Sequence, residues 1–406
     1  MSKRKDHKGR LLQAGEYQRK NGTYEYRWTT GYGERKSIYA KSLSELREME
    51  ERMIRESQKF NCPDRMTFAD LYETWKRVKR GIKPETMSLY IYTYEHYVPN
   101  GPVPEFHTMR LADIRKSTVR HLYTTIMEEM NLKISTILNI NTVVQQVFAM
   151  AVDDDLIPKN PATGAIKELR AEARIRQSMA EPERDRAMTK AEQETFFNFI
   201  RTTRYAEYYS VYRFMLLTGL RTGEVLALQW ADIDMEHAEL TLRHNMTYIK
   251  FPGETKNRIH ITSPKNKKWR TIPLCDEAIM LLRERFKTDA ANGRHCKMPY
   301  DGLQNFVFVN KYNAPMVPNE LARTLIQIRK QYNRTHEEEM PRISCHWFRH
   351  TFATRMFEAG VQAKTVQEIL GHADCRMTLN IYTAVCNDNK RDGIDKMVQY
   401  LSSFES

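Results

Sequence analysis

His346-Trp347-Phe348-Arg349-His350, Leu370-Gly371-His372 and Ile381-Tyr382-Thr383 follow one another within a single stretch near the end of this 406-residue chain, and their order decides how the rest is read. Arginine presents a rigid fork of donors that matches two phosphate oxygens and stays charged at physiological pH. Two imidazoles and a phenol beside it supply proton carriers and a nucleophile, a set that metal-free phosphoryl chemistry can use. On a helix, His346 and Arg349 lie three apart and share a face. Gly371 suits a helix C-terminal turn, where it lets the chain reverse and bring His372 inward. Tyr382 comes ten residues after His372, on a short polar helix expected to begin near Cys375.

Each residue alone has a plainer reading. The chain holds 21 tyrosines, and most tyrosines are amphipathic core residues. His346 and His350 have the i,i+4 spacing of a zinc pair, but H-E-x-x-H needs Glu at position 347, where this chain has Trp. The joint order outweighs these readings and points to an enzyme acting on nucleic-acid strands.

Composition agrees with that reading. A chain of this length exceeds what one hydrophobic core organises, so two or three domains are expected. Its 64 Lys and Arg against 51 Asp and Glu give a net charge of +13 and a pI near 9.3, which favours a polyanionic partner through counterion release. Charged residues make up 28% and the mean hydropathy is −0.66. No apolar run approaches the roughly 20 residues that span a bilayer, and Met1-Ser2-Lys3-Arg4-Lys5 lacks the apolar segment of a signal peptide. A cytoplasmic, nucleoid-associated protein without membrane contact is expected. The six cysteines, at 62, 275, 296, 345, 375 and 386, form no C-x-x-C pair, which argues for reduced thiols over a zinc cluster or a disulfide framework.

Outward from the decisive stretch, the chain divides into a multidomain α+β arrangement. Residues 1–62 read as strands Glu16 to Lys20, Tyr24 to Thr29 and Arg35 to Tyr39. The first two are joined by Asn21-Gly22, a pair suited to a tight turn with positive φ at both positions. A helix follows, opened by the capping box Ser42-Leu43-Ser44-Glu45, with Leu43, Leu46, Met49, Met53 and Ile54 on one face. Arg19, Lys20, Arg27, Arg35 and Lys36 alternate with Tyr17, Tyr24, Tyr26 and Trp28. A basic, aromatic sheet of this size fits a DNA major groove; the plainer alternative is a solvated face whose aromatics pack on the helix. The basic arm Lys3-Arg4-Lys5, Lys8 and Arg10 favours DNA.

Residues 66–167 carry four helical patterns: from a Thr67 cap through Trp75, from Pro84 through Tyr94, from Ser117 through Ile126, and from Ile134 to Val152. Lys76, Arg77, Lys79, Arg80 and Lys83 cluster at one helix end, where they clamp a duplex or form an ordinary solvated end. Residues 168–186, rich in Arg, Ala and Glu, read as a charged, extended linker. Thr189-Lys190-Ala191-Glu192, a second capping box, opens the last domain, 187–406, with helices and short strands at Glu239 to Thr241, Arg258 to Thr262, Arg270 to Pro273 and Phe306 to Val309.

These residues resemble the tyrosine recombinases, the phage-integrase family. His346-x-x-Arg349-His350, Leu370-Gly371-His372 and Tyr382-Thr383 are similar to its C-terminal signature, and Thr218-Gly219-Leu220-Arg221-Thr222-Gly223-Glu224 resembles its upstream arginine box. Pro264-Lys265-Asn266-Lys267-Lys268-Trp269-Arg270-Thr271-Ile272-Pro273-Leu274 is similar to its lysine turn and R-x-[IV]-P-L strand. Lys265 aligns as the lysine, with Lys267 and Lys268 close by as alternatives and as DNA contacts. Phe348 replaces a frequent Leu, and Ala384 a frequent His. Within the family the likeness is to integrases of Gram-positive conjugative transposons.

The resemblance implies an arm-type DNA-binding domain at 1–62, a helical core-DNA-binding domain at 66–167, and a mixed, mainly-α catalytic domain of the tyrosine recombinase type at 187–406 ending in an exchange helix. It implies that Tyr382 attacks a scissile phosphate, that Arg221 and Arg349 hold it, that Lys265 protonates the leaving oxygen, that His346 hydrogen-bonds the phosphate, and that His372 assists proton transfer or orients the phosphate. Glu224, three residues from Arg221, orients that guanidinium, the plainer alternative being a surface helix pair, and His350 stands beside the site. No cofactor or metal is implied. The implied partners are double-stranded DNA with core-type and arm-type sites, further copies of the chain in a homotetramer on DNA, a small excisionase and a host DNA-bending protein. The apolar stripe Ile394, Met397, Val398 and Leu401 either folds back or passes to a neighbouring subunit. Two rivals remain: a topoisomerase-like nicking and closing enzyme, and a DNA-binding regulator that has lost catalysis.

Overall fold

Contacts divide the chain into two units, residues 1–181 and 182–406. The computed structural model describes residues 4–29, 35–58, 65–179, 187–263, 269–296, 298–372, 375–386, 394–395, 397–398 and 401–402.

The first unit opens with an antiparallel sheet, β1 (Glu16–Gln18), β2 (Tyr24–Thr29) and β3 (Arg35–Ala40), in the order β1-β2-β3, followed by α1 (Leu43–Gln58). The Asn-Gly turn differs from expectation: of the pair only Gly22 has positive φ. Gly22 N donates to the Arg19 carbonyl and Arg19 N to the Thr23 carbonyl, the pattern of a type I turn closed by a glycine bulge. Tyr24, Ala40, Leu43 and Leu46 form the core beneath the sheet, with Tyr26 and Ile38 packed against it. Tyr24 and Tyr26 therefore belong to the helix side and leave the proposed DNA face. On the other face Tyr17, Glu25 and Tyr39 lie in one cross-strand row. The buried Glu25 carboxylate accepts from Arg19 Nε at 2.9 Å and Arg27 Nε at 2.8 Å, so both arginines are anchored at the sheet surface.

A helical bundle follows: α2 (Phe68–Val78), α3 (Pro84–Tyr97), α4 (Glu105–Thr108), α5 (Lys116–Glu129), α6 (Ile134–Asp153) and α7 (Lys167–Met179). Thr67 caps α2 in a full capping box with Asp70. By length and composition α6 is apolar enough to cross a membrane, which amends the expectation that no run comes near that size. Its Ile137, Ile140, Val143, Val144, Val147, Phe148 and Ala151 form the bundle core. The segment expected to be an extended linker is helical through Met179, and Leu169 packs into that core. Ala, Glu and Arg are strong helix formers, and a buried leucine supplies the tertiary anchor that composition alone did not reveal.

The second unit runs α8 (Lys190–Arg201), α9 (Tyr209–Thr218), α10 (Thr222–Leu226), β4 (Ile233–Asp234), β5 (Glu239–Leu242), β6 (Asn245–Ile249), β7 (Arg258–Thr262), β8 (Arg270–Pro273), α11 (Asp276–Ala291), α12 (Pro318–Thr335), α13 (Cys345–Glu358), α14 (Ala363–Leu370) and α15 (Cys375–Cys386). Thr189 caps α8 in a capping box with Glu192. Strands β4, β5 and β8 form one antiparallel sheet, and β6 pairs with β7 in another. Phe306 to Val309 is no strand. It makes isolated bridges at Phe306 and Val309 and is buried throughout, an apolar run whose burial without regular pairing explains why it reads as a strand.

Phe348 fixes α13 in this core. Its ring stacks on Tyr212 at a centroid distance of 5.3 Å and an angle of 15°, and packs against Phe196 and Phe197. Next along the helix is Arg349, so the cluster that holds one ring also sets where the following guanidinium starts. Phe348→Ala is expected to lower the unfolding free energy by about 3–5 kcal/mol. Urea denaturation followed by circular dichroism measures this; a change below about 1 kcal/mol would contradict the packing account.

Candidate active site

Two helices end side by side in the second unit, each on a left-handed glycine: α9 at Gly219 (φ 63°) and α14 at Gly371 (φ 65°). Helix C-termini leave carbonyls without partners and carry the negative end of the helix dipole. Arg349 satisfies both, donating from Nη1 to the Gly219 carbonyl at 2.9 Å and from Nη2 to the Leu370 carbonyl at 2.7 Å. Arg221, immediately before α10, donates from Nη2 to the next carbonyl, Gly371, at 3.2 Å. The two arginines of the separate sequence boxes thus reach adjacent carbonyls. Neither glycine tolerates a side chain: a Cβ on Gly219 would lie 2.3 Å from the Phe352 ring and one on Gly371 2.9 Å from Arg270 Cζ.

Glu224, only 2% exposed, binds this cluster together. It accepts from Arg221 Nη1 at 3.0 Å and from Arg270 Nη1 and Nη2 at 3.1 and 2.8 Å. Burial alone would raise its carboxyl, but the hydrogen bond and charge of Arg270, with the charge of Arg221, hold it below the usual value. Glu224 therefore orients Arg221 from within the core, well beyond a surface helix pair. Arg270 is the residue whose part the sequence reading missed. It appeared as the first residue of an R-x-[IV]-P-L strand, and the signal was that position: it opens β8, directly across from Leu242.

His372 follows the Gly371 turn and is 6% exposed. Its Nδ1 is 2.8 Å from Thr378 Oγ1, and its Nε2 is buried with no hydrogen-bond partner among the described residues. Burial first, then the charges of Arg349 and Arg221, push the imidazole down to about 4, so it is neutral at pH 7. Burial, aided by Arg221, also pulls the Arg349 guanidinium down to about 9, which leaves it cationic. His346 is exposed in the first turn of α13, with its ring centroid 6.1 Å from that of His350. The backbone of Tyr382 belongs to α15. Its side chain, and all of Lys265, Lys267 and Lys268, lie outside the described residues. A cavity of about 560 Å³ lined by Trp230, Phe286, Asp289 and Arg294 among others shares no residue with this cluster.

With this geometry in place, residues 186–388, half of the chain, match the phage integrase family, and the chain belongs to that family of tyrosine recombinases. It is a site-specific DNA recombinase. Residues 1–57 also match the DNA binding domain of Tn916 integrase. The chain is 28% identical over 412 residues to the transposase from transposon Tn916 of Enterococcus faecalis, spanning 95% of each. Among solved structures it is similar to the Tn1549 transposon integrase in complex with a circular intermediate DNA, at 26% identity and a TM-score of 0.66 over 82% of this chain and 99% of that one. A lambda integrase tetramer bound to a Holliday junction shares the fold, at 16% identity and a TM-score of 0.55 over 90% and 94%.

A folded-state imidazole near 4 against an ordinary 6.5 has a definite sign. Between those values the unfolded chain binds a proton that the folded chain excludes, so stability falls as pH drops through that window. His372→Gln is expected to flatten this part of the profile. Denaturation midpoints measured from pH 7 to pH 4 decide it, and identical slopes for the two proteins would contradict the burial of a neutral imidazole.

Proposed function

We propose that this recombinase integrates and excises a mobile DNA element, cutting and rejoining strands through a 3′-phosphotyrosine link and a Holliday junction. The observation that carries the reading is the convergence of Arg221 and Arg349 on the adjacent carbonyls of Gly371 and Leu370, directly before His372. Two guanidiniums so fixed form a seat for one phosphate, and a pentacoordinate transition state gains from donors already in place.

In this reading the Tyr382 oxygen attacks phosphorus, the bond to the 5′ oxygen breaks, and Lys265 delivers a proton to that leaving oxygen. An unperturbed tyrosine, with a pKa of about 10, is almost wholly protonated at neutral pH, so the cationic surroundings are needed to favour the phenolate. His346 hydrogen-bonds the phosphate, and His372 assists at the tyrosine or orients the phosphate. Attack by a 5′ hydroxyl reverses the step and reseals a strand, so bond energy is conserved and ATP has no part.

Double-stranded DNA is the partner. The outward sheet face with Arg19, Arg27 and Arg35, and Lys20 in the adjoining turn, would read arm-type sites from domain 1–62; Lys36, opposite Trp28, alternates to the helix side with Ile38 and leaves that face. Lys76, Lys79, Arg80 and Lys83 of domain 66–167, together with Lys267 and Lys268, would contact the core-type site. Support comes from similar proteins solved on DNA, the Tn1549 integrase on a circular intermediate and lambda integrase as a tetramer on a Holliday junction. The same reading includes a homotetramer on DNA, with direction set by a small excisionase and a host DNA-bending protein. Ile394, Met397, Val398 and Leu401 are all exposed, which favours docking of this helix on a neighbouring subunit over folding back. Bivalent reading of two kinds of site also favours recombination over simple nicking and closing.

Incubation with a nicked suicide duplex carrying the element's end is expected to give a denaturant-resistant protein–DNA adduct. Tyr382→Phe should form none, and Arg349→Ala should form it about 10²–10³ times more slowly. An adduct with Tyr382→Phe would contradict the assignment of the nucleophile.

A further inference from the structure

Thr378 is a side chain for which the sequence reading offered no role. It lies in α15, four residues and about one helical turn before Tyr382. It is 1% exposed, and its hydroxyl meets His372 Nδ1 at 2.8 Å. This bond joins the helix that bears Tyr382 to the loop following Gly371, whose backbone receives Arg221. The other imidazole nitrogen, Nε2, is buried with no partner among the described residues, and a buried polar atom left unpaired calls for an explanation.

The chemistry of a phosphate chooses between the two tautomers. A phosphate diester offers only acceptors, so a nitrogen turned to it must carry a hydrogen. A neutral imidazole with its proton on Nε2 has a lone pair on Nδ1, which then needs a donor. A threonine hydroxyl rotates to donate or accept as its partner requires, and in this position its proton completes the arrangement. Among the described residues, the guanidiniums of Arg349, Arg221 and Arg270 and the imidazole of His350 face His372 with charge that acts on it. They oppose a second proton on the ring, which keeps it a neutral donor.

We propose that Thr378 is a positioning residue for strand cleavage: by donating its hydroxyl to His372 Nδ1 it holds the imidazole as the Nε2–H tautomer, a neutral donor to the scissile phosphate, and registers α15 against that phosphate. The proposal rests on the phosphate reading of the site given above and selects, of the two tasks open to His372, orientation of the phosphate.

Three proteins and one spectrum test it. Single-turnover cleavage of the suicide duplex by Thr378→Val is expected to be at least about tenfold slower, with DNA affinity unchanged, because a transition-state donor is misplaced while the binding surfaces stay. Thr378→Ser keeps the hydroxyl and should restore the rate. Nitrogen-15 spectra of histidine-labelled wild-type protein should show His372 protonated at Nε2 and bare at Nδ1. Wild-type cleavage rates in Thr378→Val, equal losses in the Val and Ser variants, or a proton on Nδ1 would each overturn the proposal while leaving the adduct intact. Failure of the wild-type protein to form any adduct would overturn the reading of the site and this inference with it.

Discussion

Arg349 ties together the ends of two helices that are distant in sequence, and the architecture of the second unit follows from that one tie. A guanidinium 5% exposed is a large desolvation cost unless its donors are met. The carbonyls left over at the ends of α9 and α14 meet them, that of Leu370 also accepting from Arg270 Nη2 at 3.4 Å. Each side solves the other's problem. Glycines at 219 and 371 are the condition for it, because only a residue without Cβ lets the chain turn there while Phe352 and Arg270 press close.

Around this tie the charges do not cancel. Arg221, Arg270 and Arg349 face Glu224, whose carboxylate binds two of them directly. The surplus is positive and its surroundings are largely buried, which is why it suppresses protonation of His372 and why an anion would be drawn in. The donors are held by covalent turns, helix ends and a buried carboxylate before any substrate arrives. Preorganisation of that kind removes the reorganisation that water would need around a developing pentacoordinate phosphate. Positioning, more than any single strong group, is what the fold provides.

The sequence made much of this legible, for identifiable reasons. Helices α2 and α8 were readable because Thr67 and Thr189 begin full capping boxes, and the end of α14 because Gly371 sits where a left-handed cap is needed. Arg349 and His372 could be placed in one site because their residue types suit a single phosphate, and Arg221 joined them through the resemblance of its box to that of the family. Other features depend on tertiary contacts that local pattern does not encode. The bidentate grip of Arg270 on Glu224 spans distant segments, and the bond between Thr378 and His372 links α15 to the residue after Gly371. Phe306 to Val309 imitates a strand because it is apolar and short, although its neighbours in space leave it only bridges. Helix α7 imitates a linker because its polar surface hides the contribution of Leu169.

We propose that the chemistry falls on a tyrosine of α15, with Arg221, Arg349 and His372 holding the phosphate. Tyr382 is one of 21 tyrosines, so the most direct measurement is to find which one carries DNA. Proteolysis of the trapped covalent complex, followed by mass spectrometry of the nucleotide-bearing peptide, should place the phosphate on Tyr382 and link it to a 3′ end. A nucleotide on any other tyrosine, or a link to a 5′ end, would contradict the account.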